Sequence, residues 1–217
     1  MNEINKHADL IASYQDTFRQ HGDTPAAVQW PRGRQALRFK ALTKHFAAGH
    51  FSVIDYGCGL GHLKPFLDEH YDNVDYCGVD VVPEFIDTVR NKFPQAQAVL
   101  INNCTDLSQE FDHVVISGTF NVIEGGDRAA YLNEVKGELQ HLFNLARKSL
   151  AVNFMTDQVN YVQDGALHVS PEEMMVYCRE HFGRRLLLDC SYMPYEFSLV
   201  IMKQDEIIRP ENIYSPL

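Results

Sequence analysis

The chain has 217 residues, 45% of them apolar and 22% charged, an ordinary composition for a globular domain with a sizeable core. Lysine and arginine number 19 against 29 aspartates and glutamates, a formal net charge of −10 that opposes phosphate neutralisation, so no nucleic-acid partner is expected. The five cysteines are odd in number and never at a two-residue ligand spacing, which argues against a disulfide framework or a zinc site and leaves no metal expected. The N-terminus, "MNEINKHADLIASYQ", lacks the apolar core of a signal peptide, and no stretch is long enough to span a bilayer. A cytoplasmic protein without a membrane partner is expected.

In chain order, residues 3 to 20 read as a helix with Ile4, Leu10, Ile11, Tyr14 and Phe18 loosely on one side. "HGDTPAAVQWPRG" breaks the pattern. A second helix is expected from Arg34 to Phe46 with Leu37, Ala41 and Leu42 inward, and the basic run from Arg32 to Lys44 reads mainly as a solvated face. "FSVIDYG" is a strand, "HLKPFLDEHY" a helix that tolerates Pro65 only in its first turn, and "DYCGVDV" a second strand. "PEFIDTVRNKF" is a helix opened by proline, followed by strands "AVLIN" and "DHVVISG". Asp127 can cap a long helix from Arg128 to about Arg147, with Tyr131, Val135, Leu139, Leu142 and Phe143 inward, before the strand "SLAVNF".

"SPEE", Ser170 to Glu173, matches a capping box opening a helix to about Phe182. The last strands, "RLLLDCSYM" and "YEFSLVIMKQ", have too little chain between them for a crossover and must be antiparallel neighbours. The expected fold is therefore a doubly wound α/β sheet of seven strands, mostly parallel, with a reversed last strand. One domain is expected over residues 1–217.

Gly57, Gly59 and Gly61 stand at alternate positions where the first strand ends, the switch point at which such sheets bind ligands. A dinucleotide fingerprint would need glycine three residues after the second, where His62 stands. The pattern Asp-x-Gly-x-Gly-x-Gly, Asp55 to Gly61, instead resembles the first motif of class I S-adenosylmethionine-dependent methyltransferases, of the small-molecule type. The resemblance covers roughly residues 50–203, the α/β core of a Rossmann-like methyltransferase fold, and makes residues 1–48 a helical lid.

The resemblance implies S-adenosylmethionine as cofactor and S-adenosylhomocysteine as product. The loop Gly57, Cys58, Gly59 and Gly61 would lie against the cofactor behind Asp55. Asp80, with Val81 beside it, stands where the family's acid takes both ribose hydroxyls, a task that suits a two-oxygen acceptor. Asn103 and Cys104 occupy the adenine-reading positions, an amide replacing the usual acid, with Asp106 as the alternative reader. Near Ser117 and Gly118, backbone carbonyls would receive the methionine ammonium, and Phe120 and Asn121 would face the methyl group. Tyr14, Trp30 and Arg38 are lid candidates, Arg38 for the cofactor carboxylate near Gly57.

On the acceptor side Asn121, His168 and Tyr192 are the catalytic candidates, with Glu124, Asn153, Tyr161, Tyr195 and Glu196 as further possibilities. Cys58 has no positioned base and is not read as a nucleophile. The Asn/Asp-Pro-Pro-Tyr sequence of adenine and amide methyltransferases is absent at Ile116 to Ile123. The expectation is methyl transfer by in-line displacement to a small metabolite or sugar-like O or N acceptor; a macromolecule methyltransferase and a non-catalytic cofactor-binding protein are the alternatives. The sequence leaves the oligomeric state undetermined.

Overall fold

The computed structural model describes residues 7–28, 34–124 and 126–203, so Ile4 and Trp30 lie outside the described residues. The strands are β1 (Phe51–Tyr56), β2 (Val74–Asp80), β3 (Gln97–Leu100), β4 (Phe111–Ile116), β5 (Ala146–Thr156), β6 (His168–Val169), β7 (Leu186–Met193) and β8 (Glu196–Met202). They form one sheet in the order β3-β2-β1-β4-β5-β8-β7, with the short β6 paired parallel to the far end of β5. Only β8 runs against its neighbours, pairing antiparallel with β5 and β7. The reversed final strand is as the sequence implies; β6 is an addition, two residues too short to show alternation.

The helices are α1 (Ala8–His21), α2 (Gln35–Thr43), α3 (Leu63–His70), α4 (Pro83–Lys92), α5 (Arg128–Leu145) and α6 (Pro171–His181). Asp127 caps α5, accepting from the amides of Ala129 (2.9 Å) and Ala130 (3.1 Å), and Ser170 Oγ accepts from Glu173 N–H at 3.2 Å to open α6. Both faces of the sheet are covered. Ile54, Val114 and Ile116 pack against Tyr131, Val135 and Leu139 of α5, while Val53 and Val115 pack on the other face with Leu42, Leu63 and Ile86. No helix among the described residues is long and apolar enough to cross a membrane.

The phase of α2 differs from expectation. Leu37 is 47% exposed, whereas Arg38, Phe39, Ala41 and Leu42 are buried. Phe39 packs on Phe66 of α3 with ring centroids 5.6 Å apart, and Arg38 pairs with buried Glu196, so two strong anchors turn Leu37 outward. α1 carries no fully buried residue; Ile11, Tyr14 and Phe18 rest on a small cluster of Ala27, Leu60, Val82 and Phe85.

The strand order reverses at β1, which lies between β2 and β4, and the glycine loop leaves from that point. Gly57 N–H and Cys58 N–H both donate to Val79 O, at 2.8 and 2.9 Å. Gly57 has φ +73°, and a Cβ there would stand 2.3 Å from Thr119 Oγ1. Thr119 cannot withdraw freely, because its hydroxyl donates to Tyr56 O at 2.7 Å. Gly57→Ala should therefore cost at least about 2 kcal/mol, left-handed strain and overpacking together, as read from the urea midpoint. A loss below about 0.5 kcal/mol would show that the Thr119 contact yields.

Candidate active site

A cavity of about 820 Å³ opens over the carboxyl ends of β1, β2 and β4. Its floor is the loop Gly57–Leu60, one side is Asp80 to Val82, and the other is Ser117 to Val122. Tyr14 of α1 and Arg38 of α2 line it from the N-terminal part, and Tyr195 and Glu196 from the start of β8.

Asp80 ties these parts together. Its Oδ2 accepts Gly59 N–H at 2.8 Å and its Oδ1 accepts Val82 N–H at 2.9 Å, so one carboxylate holds the glycine loop to the start of α4. Burial raises its pKa, against amide hydrogen bonds that lower it. Each oxygen has a second lone pair for a hydroxyl donor. Asp55, behind the loop, accepts from Tyr76 Oη at 2.8 Å. Burial pushes its carboxyl up to about 7, the Tyr76 hydrogen bond opposing and the Asp80 charge adding to the rise.

Opposite the glycine loop, a buried polar chain sets the backbone after β4. Arg38 Nε donates to Glu196 Oε2 at 2.9 Å and its Nη2 to Oε1; Asn153 Nδ2 donates to the same Oε2 at 3.0 Å, and Asn153 Oδ1 accepts Gly118 N–H at 2.7 Å. Gly118 has φ +78°, and a Cβ there would meet Arg38 Nη1 at 2.6 Å. Arg38 is thus a buried ion-pair partner of Glu196 beside Gly118; the geometry directs its bidentate pairing at a protein carboxylate, where the sequence reading placed a cofactor carboxylate near Gly57.

Several sequence candidates meet in the cavity wall: Asp55, Gly57, Cys58, Gly59, Asp80, Val81, Ser117 and Asn121, together with Glu124, Tyr161, Tyr195 and Glu196. Others do not. A Cβ on Gly61 would face Val89 and Phe93 of the α4 segment, so that glycine serves helix packing. Asn103 is exposed and caps its own turn, accepting from Thr105 N–H at 2.9 Å, and Asp106 is likewise exposed, accepting from Asn102 N–H at 2.8 Å. Cys104 is buried in the α5-side core. None of these three lines the cavity, where Ile101 takes their place.

His168, read as a catalytic candidate, does not line the cavity: it is buried, its Nδ1 2.7 Å from Thr156 O and its Nε2 accepting Gln163 N–H at 3.3 Å. With both ring nitrogens engaged it pins the loop between β5 and β6. Tyr192 lies outside the cavity, its hydroxyl 3.4 Å from Glu196 Oε2. Cys58 is buried, and burial followed by the Asp80 and Asp55 charges pushes its thiol well above the ordinary value, which denies it thiolate character.

Among the lining residues not singled out in the sequence are His7, Tyr56 and Glu138. His7 Nδ1 meets Glu124 Oε2 at 2.7 Å, and Tyr56 Oη donates to Glu138 Oε2 at 2.7 Å. Glu138 carried a signal: it stands seven residues after Tyr131 and so shares its helix face, an acid on a stripe otherwise read as core. Tyr14, edge-on to Phe85 at 5.7 Å, has its hydroxyl pushed up to about 12 by burial and by the Asp80 and Glu124 charges.

Residues 53–141 match the family model described as a methyltransferase domain. A Mycobacterium tuberculosis protein, Rv1506c, described provisionally as a methyltransferase, is 26% identical over 159 residues, 72% of this chain and 96% of that one. Magnesium protoporphyrin IX methyltransferase from Synechocystis PCC 6803, solved with bound S-adenosylhomocysteine, superposes with a TM-score of 0.64 at 13% identity, covering 91% of this chain and 96% of that one. The pyocyanin biosynthetic protein PhzM gives 0.64 at 12% identity, over 88% of this chain and 62% of that one. Residues 53–141 are thus a methyltransferase domain in a chain with the fold of the class I S-adenosylmethionine-dependent methyltransferases, and S-adenosylmethionine is its cofactor.

The buried Asp55 carries a stability signature. Between about pH 4 and pH 7 the folded chain holds its proton while the unfolded chain has released it, so this group makes stability fall as pH rises. Burial pushes His113 down to about 3 and His45 to about 4, which tilts stability the other way, lost as pH falls below the ordinary histidine range. The clean observable is the difference between Asp55→Asn and the parent chain in urea unfolding. The variant should gain relative stability from about pH 4 to about pH 7. A difference that does not change with pH would show that Asp55 ionises normally.

Proposed function

We propose that this enzyme methylates a small molecule, with the cofactor seated on the glycine loop and the acceptor in the cavity space beyond Phe120 and Asn121. The observation that carries the reading is the walled cavity itself: α1, α2 and the start of β8 close over the strand ends, which suits a compact acceptor better than a macromolecular segment. The net charge of −10 adds to this, since it disfavours RNA. Fold neighbours at 12–13% identity include the mitomycin 7-O-methyltransferase and the magnesium protoporphyrin IX methyltransferase, both named for small-molecule acceptors.

In this reading Asp80 takes the ribose hydroxyls on the lone pairs left over from Gly59 and Val82, and Gly57 to Gly59 lie under the methionine portion, with Asp55 behind. Three features of the chain fit the cofactor: left-handed glycines in the loop that forms the cavity floor, a two-oxygen acceptor at the second strand end, and a cavity of about 820 Å³. The bound cofactor supplies a methyl group on a positively charged sulfur. The chain itself has to align the acceptor with that group and keep water out. The compartment in which it works is proposed to be the cytoplasm.

Calorimetry should show binding of S-adenosylmethionine and none of NADH. Labelled cofactor incubated with fractionated extract should then mark compounds in the low-molecular-weight fraction; label confined to RNA or protein would sink the small-molecule reading. A sharper test addresses Asp80. The parent chain should prefer the cofactor to its 2′-deoxy analogue by about 1.5–3 kcal/mol, the scale of a hydrogen bond to a charged group, and Asp80→Ala should erase the preference. If Asp80→Ala weakens both ligands equally, the carboxylate acts only by anchoring Gly59 and Val82.

A further inference from the structure

We propose that Asn153 is a positioning residue for methyl transfer: by drawing the Gly118 amide inward it turns the Ser117 carbonyl to the cavity, where that oxygen receives the ammonium of the cofactor's amino-acid end. Glu196 and Arg38 act behind it, fixing which way round the Asn153 amide sits. The inference rests on the cofactor seat described under the proposed function and extends it to a side chain outside the cavity wall.

The direction of the Asn153 amide follows from its neighbours. The side chain is 1% exposed, and both of its polar ends are engaged. A carboxylate only accepts, so Glu196 Oε2, 3.0 Å away, has to face Nδ2, and this leaves Oδ1 to accept Gly118 N–H at 2.7 Å. Glu196 is itself held by two donors of Arg38, Nε and Nη2. Apolar side chains of similar volume join elements at least as well as a buried ion pair, but they cannot accept an amide proton. The polar chain therefore has a task beyond packing, and the group at its end is Gly118 N–H.

The peptide between Ser117 and Gly118 carries this outward. It is trans, so its carbonyl points opposite to its N–H. With the N–H drawn to the buried Asn153, the Ser117 oxygen is directed away from the interior, and Ser117 and Gly118 are both half-buried and both line the cavity. The neighbouring carbonyls are taken: Gly118 O accepts Asn121 N–H at 3.4 Å, and Tyr56 O accepts the Thr119 hydroxyl at 2.7 Å. Among the described residues no hydrogen bond reaches Ser117 O. The turn is confined as well, since Gly118 holds φ +78° and a Cβ there would meet Arg38 Nη1 at 2.6 Å.

The sheet order says what meets this oxygen. β1 lies between β2 and β4, and adjacent strands are about 4.8 Å apart. A nucleoside with its ribose on Asp80 at the end of β2 and its arm over Gly57 to Gly59 at the end of β1 carries its amino-acid end on to the end of β4. There a fixed carbonyl oxygen accepts from an ammonium, a charge-assisted hydrogen bond, and offers nothing to a carboxylate. Asn153 makes and breaks no bond in the reaction. Its part is to hold the far end of the arm, so that the methyl group keeps one direction toward the acceptor.

The test is calorimetry on the full chain with S-adenosylhomocysteine and its deamino analogue, which keeps the carboxylate and lacks the ammonium. The parent chain should bind S-adenosylhomocysteine at least about tenfold more tightly than the analogue, the scale of a hydrogen bond to a charged group. Asn153→Leu, which keeps the volume and removes the acceptor, should reduce that ratio to about threefold or less. Asn153→Ala, a smaller change that leaves the Arg38–Glu196 pair in place, should do the same and serves if the leucine variant does not fold. Variants that weaken both ligands by one factor, or that keep the parent's ratio, make Asn153 a structural residue only and overturn the proposal, as does a parent chain that binds the two ligands equally. Failure of the parent chain to bind S-adenosylhomocysteine at all would instead overturn the cofactor seat on which the proposal rests.

Discussion

The carboxylate of Asp80 is the constraint on which the site depends. A glycine-rich loop has few side chains to hold itself in place, and its amides need acceptors that are themselves fixed. Asp80 supplies one oxygen to Gly59 and the other to Val82, and the end of β2 supplies Val79 O to Gly57 and Cys58. The loop therefore takes its shape from the neighbouring strand. Burial resists the charge this requires, and the amides offset part of that resistance, so the buried carboxylate depends on the loop folded around it. Loop shape and acceptor geometry are one property.

A second polar chain does the same on the opposite wall. Arg38, Glu196, Asn153 and Gly118 link α2, β8, β5 and the turn after β4 through hydrogen bonds, with Arg38, Glu196 and Asn153 each almost fully buried. An ion pair so placed contributes little net stability, but removing one partner strands the other, which makes it a register device more than a source of stability. It fixes how α2 meets the reversed strand and hence where the cavity closes.

Most of the fold was legible because a parallel sheet writes itself in apolar runs separated by helices with visible caps: Asp127, Ser170 and Pro83 opened helices where they were read. The glycine spacing located the cavity. What was not legible depended on pairings far apart in sequence. Arg38 was read as lying at the edge of a helix face, yet its partner Glu196 is 158 residues away and no local pattern announces it. His168 was read as a catalytic candidate, and only the return of β6 to β5 shows that both its nitrogens are engaged by backbone. Asn103 occupied an adenine-reading position by alignment, but its side chain satisfies Thr105 locally, the habit of asparagine in turns.

The way α1 meets the body has a consequence for exchange with solvent. Its contacts are edge-on rings, Tyr14 and Phe18 against Phe85 at 5.7 and 5.9 Å, with a hydrogen bond from Gln15 to Glu84, and it pairs with no strand. Lifting it away would uncover the cavity while leaving every ladder of the sheet intact, a local opening whose free energy is a fraction of that of global unfolding. Phe85 and Glu84 sit on the first turn of α4, immediately after the Val82 amide that Asp80 holds. The contacts of α1 and the shape of the glycine loop thus share one foundation, the start of α4.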